Sequence, residues 1–153
     1  MEAIEVGKIF EDLFMDIQAD MVFACMDYVK GSADKVYVYG SCEGGTIAAD
    51  CFFEINGQII PRHKTNVISN KYDVSIENQR VCIRALSNDV EELKELCKKH
   101  QRPMPTEIKM IYDVKKNSLD VGYKYDVVYS NHEIKGPYDI ADEWFEEVKN
   151  SKQ

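Results

Sequence analysis

Asn56-Gly57 stands between two apolar, β-rich stretches, Thr46 to Ile55 and Gln58-Ile59-Ile60. Both central residues of the tightest hairpin turn need positive φ, which Asn and Gly tolerate best, so this dipeptide predicts an antiparallel hairpin. Pro61 lacks an amide donor and should end the third strand. Upstream, Lys35-Val-Tyr-Val-Tyr39 reads as a short strand, with Ser41-Cys-Glu-Gly-Gly45 turning the chain into the second.

A second hairpin is expected near the C-terminus. Between Thr106 and Val114, Ile108, Met110 and Tyr112 alternate with Lys109, Ile111 and Asp113. Between Leu119 and Val128, Leu119, Val121, Tyr123 and Tyr125 alternate with Asp120, Gly122, Lys124 and Asp126. Period-two alternation predicts one buried and one wet face, with the turn at Lys115 to Ser118.

Three amphipathic helices surround these strands. Ile9, Leu13, Ile17, Met21, Cys25 and Tyr28 step by three and four within a helix expected over Ile4 to Val29. A second is expected from Asp89 to His100, capped by Ser87 or Asn88, with Val90, Leu93, Leu96 and Cys97 inward; Pro103 and Pro105 forbid its continuation. Arg62 to Asn70 reads as loop, and Tyr72 to Ile76 with Arg80 to Ala85 as further strand or turn. The last helix is expected to be capped by Asp139, with Ile140, Trp144 and Val148 inward. No βαβ crossover is evident. The fold class is therefore α+β, one domain over residues 1–153, a single antiparallel sheet with helices packed on it in the order helix, strands, helix, strands, helix.

Charge limits what such a domain can meet. The formal net charge is −8, and the final helix holds Asp139, Asp142, Glu143, Glu146 and Glu147 without a base from Gly136 to Glu147. Such a surface repels nucleic acid and acidic lipid and attracts a basic protein. Lys98-Lys99 and Lys115-Lys116 are isolated pairs, short of a nucleic-acid stripe. The segment MEAIEVGKIFEDLF places acids where a signal peptide needs bases, and no run approaches the roughly 20 apolar residues of a membrane span. A cytoplasmic protein that does not engage membrane is expected.

Little in the chain suggests catalysis. Cys25, Cys42, Cys51, Cys82 and Cys97 are odd in number and form no CxxC, so reduced thiols acting as small hydrophobes are expected. His63, His100 and His132 lie far apart without a ligand pattern, and neither a metal nor another cofactor is expected. Gly44-Gly45 belongs to no phosphate-binding motif. Cys42 is the best nucleophile candidate, yet Glu43 beside it opposes a thiolate. The protein is not expected to be an enzyme.

The layout as a whole resembles the YezG-like antitoxin family. An N-terminal amphipathic helix leads into K-V-Y-V-Y (Lys35 to Tyr39), a Gly-Gly turn leads to C-F-F-E-I, and a late hairpin ends in Y-K-Y-D (Tyr123 to Asp126). The chain departs from that family at Met26 to Val29 and Gly31 to Asp34, where an I-P-x-x-W segment would stand, and in its final helix. The resemblance implies a non-enzymatic immunity protein that neutralises a secreted nuclease toxin, possessing a basic substrate groove that an acidic surface can occlude. The candidate partner-binding residues are Asp139, Asp142, Glu143, Glu146 and Glu147, with Asp120 and Asp126 as a second group. The alternative is a secretion chaperone or adaptor that captures an apolar segment without any toxin partner.

Overall fold

A computed structural model describes residues 9–152. It shows one open five-stranded antiparallel sheet with helices on both faces, in the order α1 (Phe10–Tyr28), β1 (Lys35–Glu43), β2 (Thr46–Ile55), β3 (Gln58–Pro61), α2 (Ile76–Lys99), β4 (Glu107–Asp113), β5 (Ser118–Lys124) and α3 (Pro137–Ser151). The strands lie side by side as β3-β2-β1-β4-β5. This is the α+β class that the pattern of the sequence predicts. Residues Ile4 to Lys8 of the expected first helix lie outside the described residues.

Both β-turns of the first meander use left-handed backbone. Asn56 and Gly57 have φ of +53° and +78°, and Gly44 and Gly45 have +59° and +83°. Positive φ at both central residues gives the turn twist that matches paired strands. The first strand is longer than the sequence suggests: Ser41, Cys42 and Glu43 pair with Ala48, Ile47 and Thr46, so only Gly44-Gly45 turns.

One face of the sheet is sealed by α1 and α2. Val36, Val38, Cys51, Phe53, Ile108 and Met110 point into this core and meet Met21, Cys25, Leu86, Val90 and Leu93. Both helices press close on Gly40, where an added Cβ would sit 3.3 Å from Val90 Cγ2 and 3.7 Å from Met21 Cε. The buried stripe of α1 is Phe14, Gln18, Met21, Val22, Cys25 and Tyr28, rotated from the expected one, and Ile9 is exposed. Gln18 is fully buried: its Nε2 donates to Tyr123 Oη at 2.7 Å, whereas its Oε1 has no hydrogen-bond partner among the described residues.

The stretch from Arg62 to Ala85 departs most from expectation. Arg62–Val67 is a 3₁₀ helix, and α2 begins at Ile76 rather than Asp89. Ser75 is its N-cap, accepting the Asn78 amide at 3.2 Å. Cys82, Leu86, Val90, Leu93 and Cys97 are all buried along one continuous helical stripe. Ser87 and Asn88, read as a cap, lie mid-helix because burial of Cys82 and Leu86 overrides the local propensity.

A buried carboxyl joins the two helices. Burial, then a hydrogen bond and charge from Asp20, then Glu92, push Asp89 up to about 8. An acid whose folded pKa lies above its unfolded value of about 3.9 holds an extra proton in the folded state. Its stabilising contribution is therefore complete below about pH 4 and lost as pH rises toward 8. Asp89→Asn should make the protein more stable at pH 8 by on the order of 1–2 kcal/mol, with the gain vanishing near pH 4. Urea midpoints at both values measure it; a wild-type midpoint that falls no more steeply than the variant's between them would refute it.

The opposite face is only partly covered. There α3 lies across β2 and β3, inserting Trp144 and Ala141 among Tyr37, Tyr39, Phe52 and Ile59, with Ile111 at the margin. Trp144 meets Phe52 edge-on at 5.1 Å and Tyr37 at 5.8 Å. At the far edge of this face Asp120, Gly122 and Lys124 of β5 are exposed.

Candidate protein-binding surface

The outer side of α3 is formed by what its inner side does not use. Ala141, Trp144 and the half-buried Phe145 and Val148 hold the helix down, so Asp142, Glu143, Glu146 and Glu147 project into solvent. Glu143 pairs with Lys135 at 2.6 Å. Asp142, Glu146 and Glu147 have no ion pair among the described residues. Tyr138 and Asp142, one turn apart, share a helix face with Glu146, and Tyr138 is half exposed.

Asp139 has a different task from the one expected. The N-cap is Gly136, followed by Pro137, and Asp139 is the third helical residue. Its Oδ2 accepts the Gly136 amide at 2.8 Å, an arm of a capping box rather than the cap itself. Proline suits the first helical position because that amide would have no helical partner.

Asp120 and Asp126 are not brought together. Asp120 lies opposite Ile111 on β5, on the sheet face that carries α3, so it extends the acidic surface past the row of Tyr37 and Ile111. Asp126 lies beyond the end of β5, where its carbonyl accepts Thr106 Oγ1 at 2.7 Å. The ground between Asp120 and α3 is not uniformly acidic. Lys109 Nζ sits 5.5 Å from the centre of the Trp144 ring, and Lys109 and Lys124 both approach Glu107 Oε1 at 3.6 Å.

Two structural carboxylates here were illegible in the sequence. Glu107 is 2% exposed, on the same face as Ser41 and Lys124, which it opposes across β4. Glu43 anchors the connection to α3: its carboxylate accepts the Val128 amide at 2.7 Å, the Tyr129 amide at 3.3 Å, the Ser130 amide at 2.7 Å and the Ser130 hydroxyl. Burial pushes Glu43 up, but these donors outweigh it and hold the group below the usual carboxylate range. The segment so anchored presents Tyr125, Val127 and Ile134 to solvent, Ile134 at 93%. Only the spacing of Glu43 from residues 128–130 in three dimensions reveals this tie.

The other candidate chemistry falls elsewhere. Cys42 is half-buried on β1, and burial pushes its thiol up, the reverse of an activated nucleophile. His63 lies in the 3₁₀ helix, His100 follows α2 with its ring 5.5 Å from Phe10, and His132 lies in the connection to α3. Beneath α3, a cleft of about 570 Å³ is lined by both signs of charge, with Asp50, Arg62, Glu146 and Lys149 among its walls. No helix among the described residues is long and apolar enough to cross a membrane.

Fold and surface together define a single-sheet α+β domain with an acidic helix displayed on its second face. No family model and no curated protein matches the chain.

Proposed function

We propose that the protein is an immunity-type antitoxin that binds a basic toxin domain, a nuclease, and occludes its substrate groove. The observation that carries this reading is the display of Asp142, Glu143, Glu146 and Glu147 together on the outer side of a helix anchored by Trp144. Four carboxylates on one rigid helix can occupy sites that otherwise hold backbone phosphates. Steered association between opposite charges gives fast binding and specificity. The half-exposed Tyr138 beside Asp142 supplies an aromatic contact within a polar rim, the usual anatomy of a protein interface. The resemblance of the sequence layout to YezG-like antitoxins supports the same reading.

A second reading is favoured by one observation, the exposure of Val127 and Ile134 in the connection before α3. Those side chains suit an adaptor or chaperone that captures an apolar segment. Salt separates the two, because charge-steered association slows as ionic strength rises and apolar capture does not.

The test pairs the chain with basic nuclease toxin domains in cells, scored by survival, and with the rescued toxin in solution, scored by affinity. Glu146→Lys with Glu147→Lys should leave stability within about 0.5 kcal/mol, since both are exposed. Affinity should fall at least about tenfold, equivalent to 1.4 kcal/mol, and protection with it. Absence of rescue by the wild type, or rescue indifferent to both the reversal and salt, would overturn the reading.

A further inference from the structure

Three of the five cysteines meet inside the protein, although they are 26 and 31 residues apart in sequence order: Cys25 on α1, Cys51 on β2 and Cys82 on α2. All three are buried, and their sulfurs lie within 4.8 Å of one another. Cys51 Sγ and Cys82 Sγ are 3.9 Å apart. Nothing in the proposed contact with a toxin uses them, because α3 lies on the other face of the sheet.

The spacing has a specific meaning. Metal–thiolate bonds of about 2.3 Å put three sulfurs in a plane about 4.0 Å apart around one ion. The observed pair already has that separation, and even a 4.8 Å side would need to close by less than about 1 Å. Among the described residues the ligand cluster stops at three, whereas structural zinc takes four donors. A soft, three-sulfur, dry site suits monovalent copper.

The surroundings favour such an ion. The Cys82 sulfur faces Cys51 Sγ and the Ala24 carbonyl oxygen, each 3.9 Å away, inside the hydrophobic core. Three thiolates without a counter-ion would be costly in this core, so proton loss must be coupled to arrival of a cation. There is also an entrance: a pocket of about 150 Å³ between α1 and α2, walled by Ala24, Tyr28, Asn78 and Val81, reaches Cys82.

We propose that Cys25, Cys51 and Cys82 form a trigonal thiolate site for Cu(I). On loading, each thiol releases its proton to solvent as its sulfur bonds the ion, and the copper stays monovalent throughout. Cys42 and Cys97 take no part and serve as internal controls.

The experiment titrates the reduced full chain, without oxygen, against a coloured Cu(I) complex of a bathocuproine chelator. One copper per chain should leave the chelator, ultraviolet thiolate-to-copper absorption should rise, and X-ray absorption should show three sulfur neighbours. Cys42→Ala with Cys97→Ala should retain this, while Cys82→Ser, its fold verified by circular dichroism, should weaken uptake by roughly a hundredfold. Failure of the wild type to draw copper from the chelator would overturn the proposal, as would fewer than three sulfurs around the bound ion. The wild-type arm stands even if Cys82→Ser does not fold. Because toxin binding is read separately by survival and salt dependence, copper binding can fail without touching the antitoxin reading, and the reverse.

Discussion

Replacing Trp144 by alanine should cost about 3–5 kcal/mol of stability, the range for emptying a buried aromatic site. The residue is 6% exposed and meets Tyr37, Tyr39 and Phe52 with ring centres between 5.1 and 6.5 Å away. Its loss opens a cavity in the smaller of two cores, where the rings of Tyr37, Tyr39 and Phe52 that border the space are fixed on the paired strands β1 and β2. Those same contacts seat α3 on the sheet, so the substitution also releases the acidic helix. In a domain of this size, 3–5 kcal/mol corresponds to a fall in melting temperature of roughly 6–20 °C. Urea unfolding followed by far-ultraviolet circular dichroism measures it, since the variant has no tryptophan to report. A cost under about 1 kcal/mol would mean that α3 is hardly held by this side chain, and would remove the structural support for a rigid acidic surface.

Arg62→Met should be nearly as damaging, at about 3 kcal/mol. The Arg62 guanidinium binds the Asp50 carboxylate, and its Nε donates to Gln79 Oε1 at 3.2 Å, tying β2 and the 3₁₀ helix to α2. Burial pushes Asp50 up, and Arg62 is the principal group working against that shift. Without the arginine, a half-buried carboxylate loses its cation and must either stay charged at a cost or take a proton. Asp50→Asn should therefore restore a large part of the loss, because it removes the charge that has been left alone. The deficit of Arg62→Met alone should also shrink toward pH 4, where protonation removes the same charge: a raised folded pKa gives stability that is complete at low pH and lost as pH rises. A deficit equal in the Asp50→Asn background would show that Arg62 acts through packing of its stem alone.

How far the fold was legible depended on whether local signals agreed with burial. The Asn56-Gly57 hairpin and the alternation around Met110 and Val121 are short-range signals, and the paired strands follow them. The inward stripe of the last helix was also legible, because Ile140, Trp144 and Val148 recur at four residues, but its start was not, since it begins at Pro137 rather than after Asp139. The first half of α2 was not. Ser87 and Asn88 favour caps when considered alone, but Cys82 and Leu86 are buried against α1 and the sheet, and that burial carries the helix back to Ser75. Likewise Ser41 to Glu43 read as turn until pairing with both β2 and β4 extended β1.

The acidic residues show the same division. Sequence placed Asp142, Glu143, Glu146 and Glu147 on one helix, and helical periodicity alone turns them away from Trp144. Their charge and spacing need no tertiary information. What only the tertiary structure decided is which distant groups meet: Asp120 on the face of α3, Glu43 beneath residues 128–130, Arg62 against Asp50, and three cysteine sulfurs in one core. The physical reason is range. Turn chemistry and periodicity act over a few residues and are written in the order of the chain, whereas these groups are joined by the stacking of α1 and α2 on one sheet face and α3 on the other.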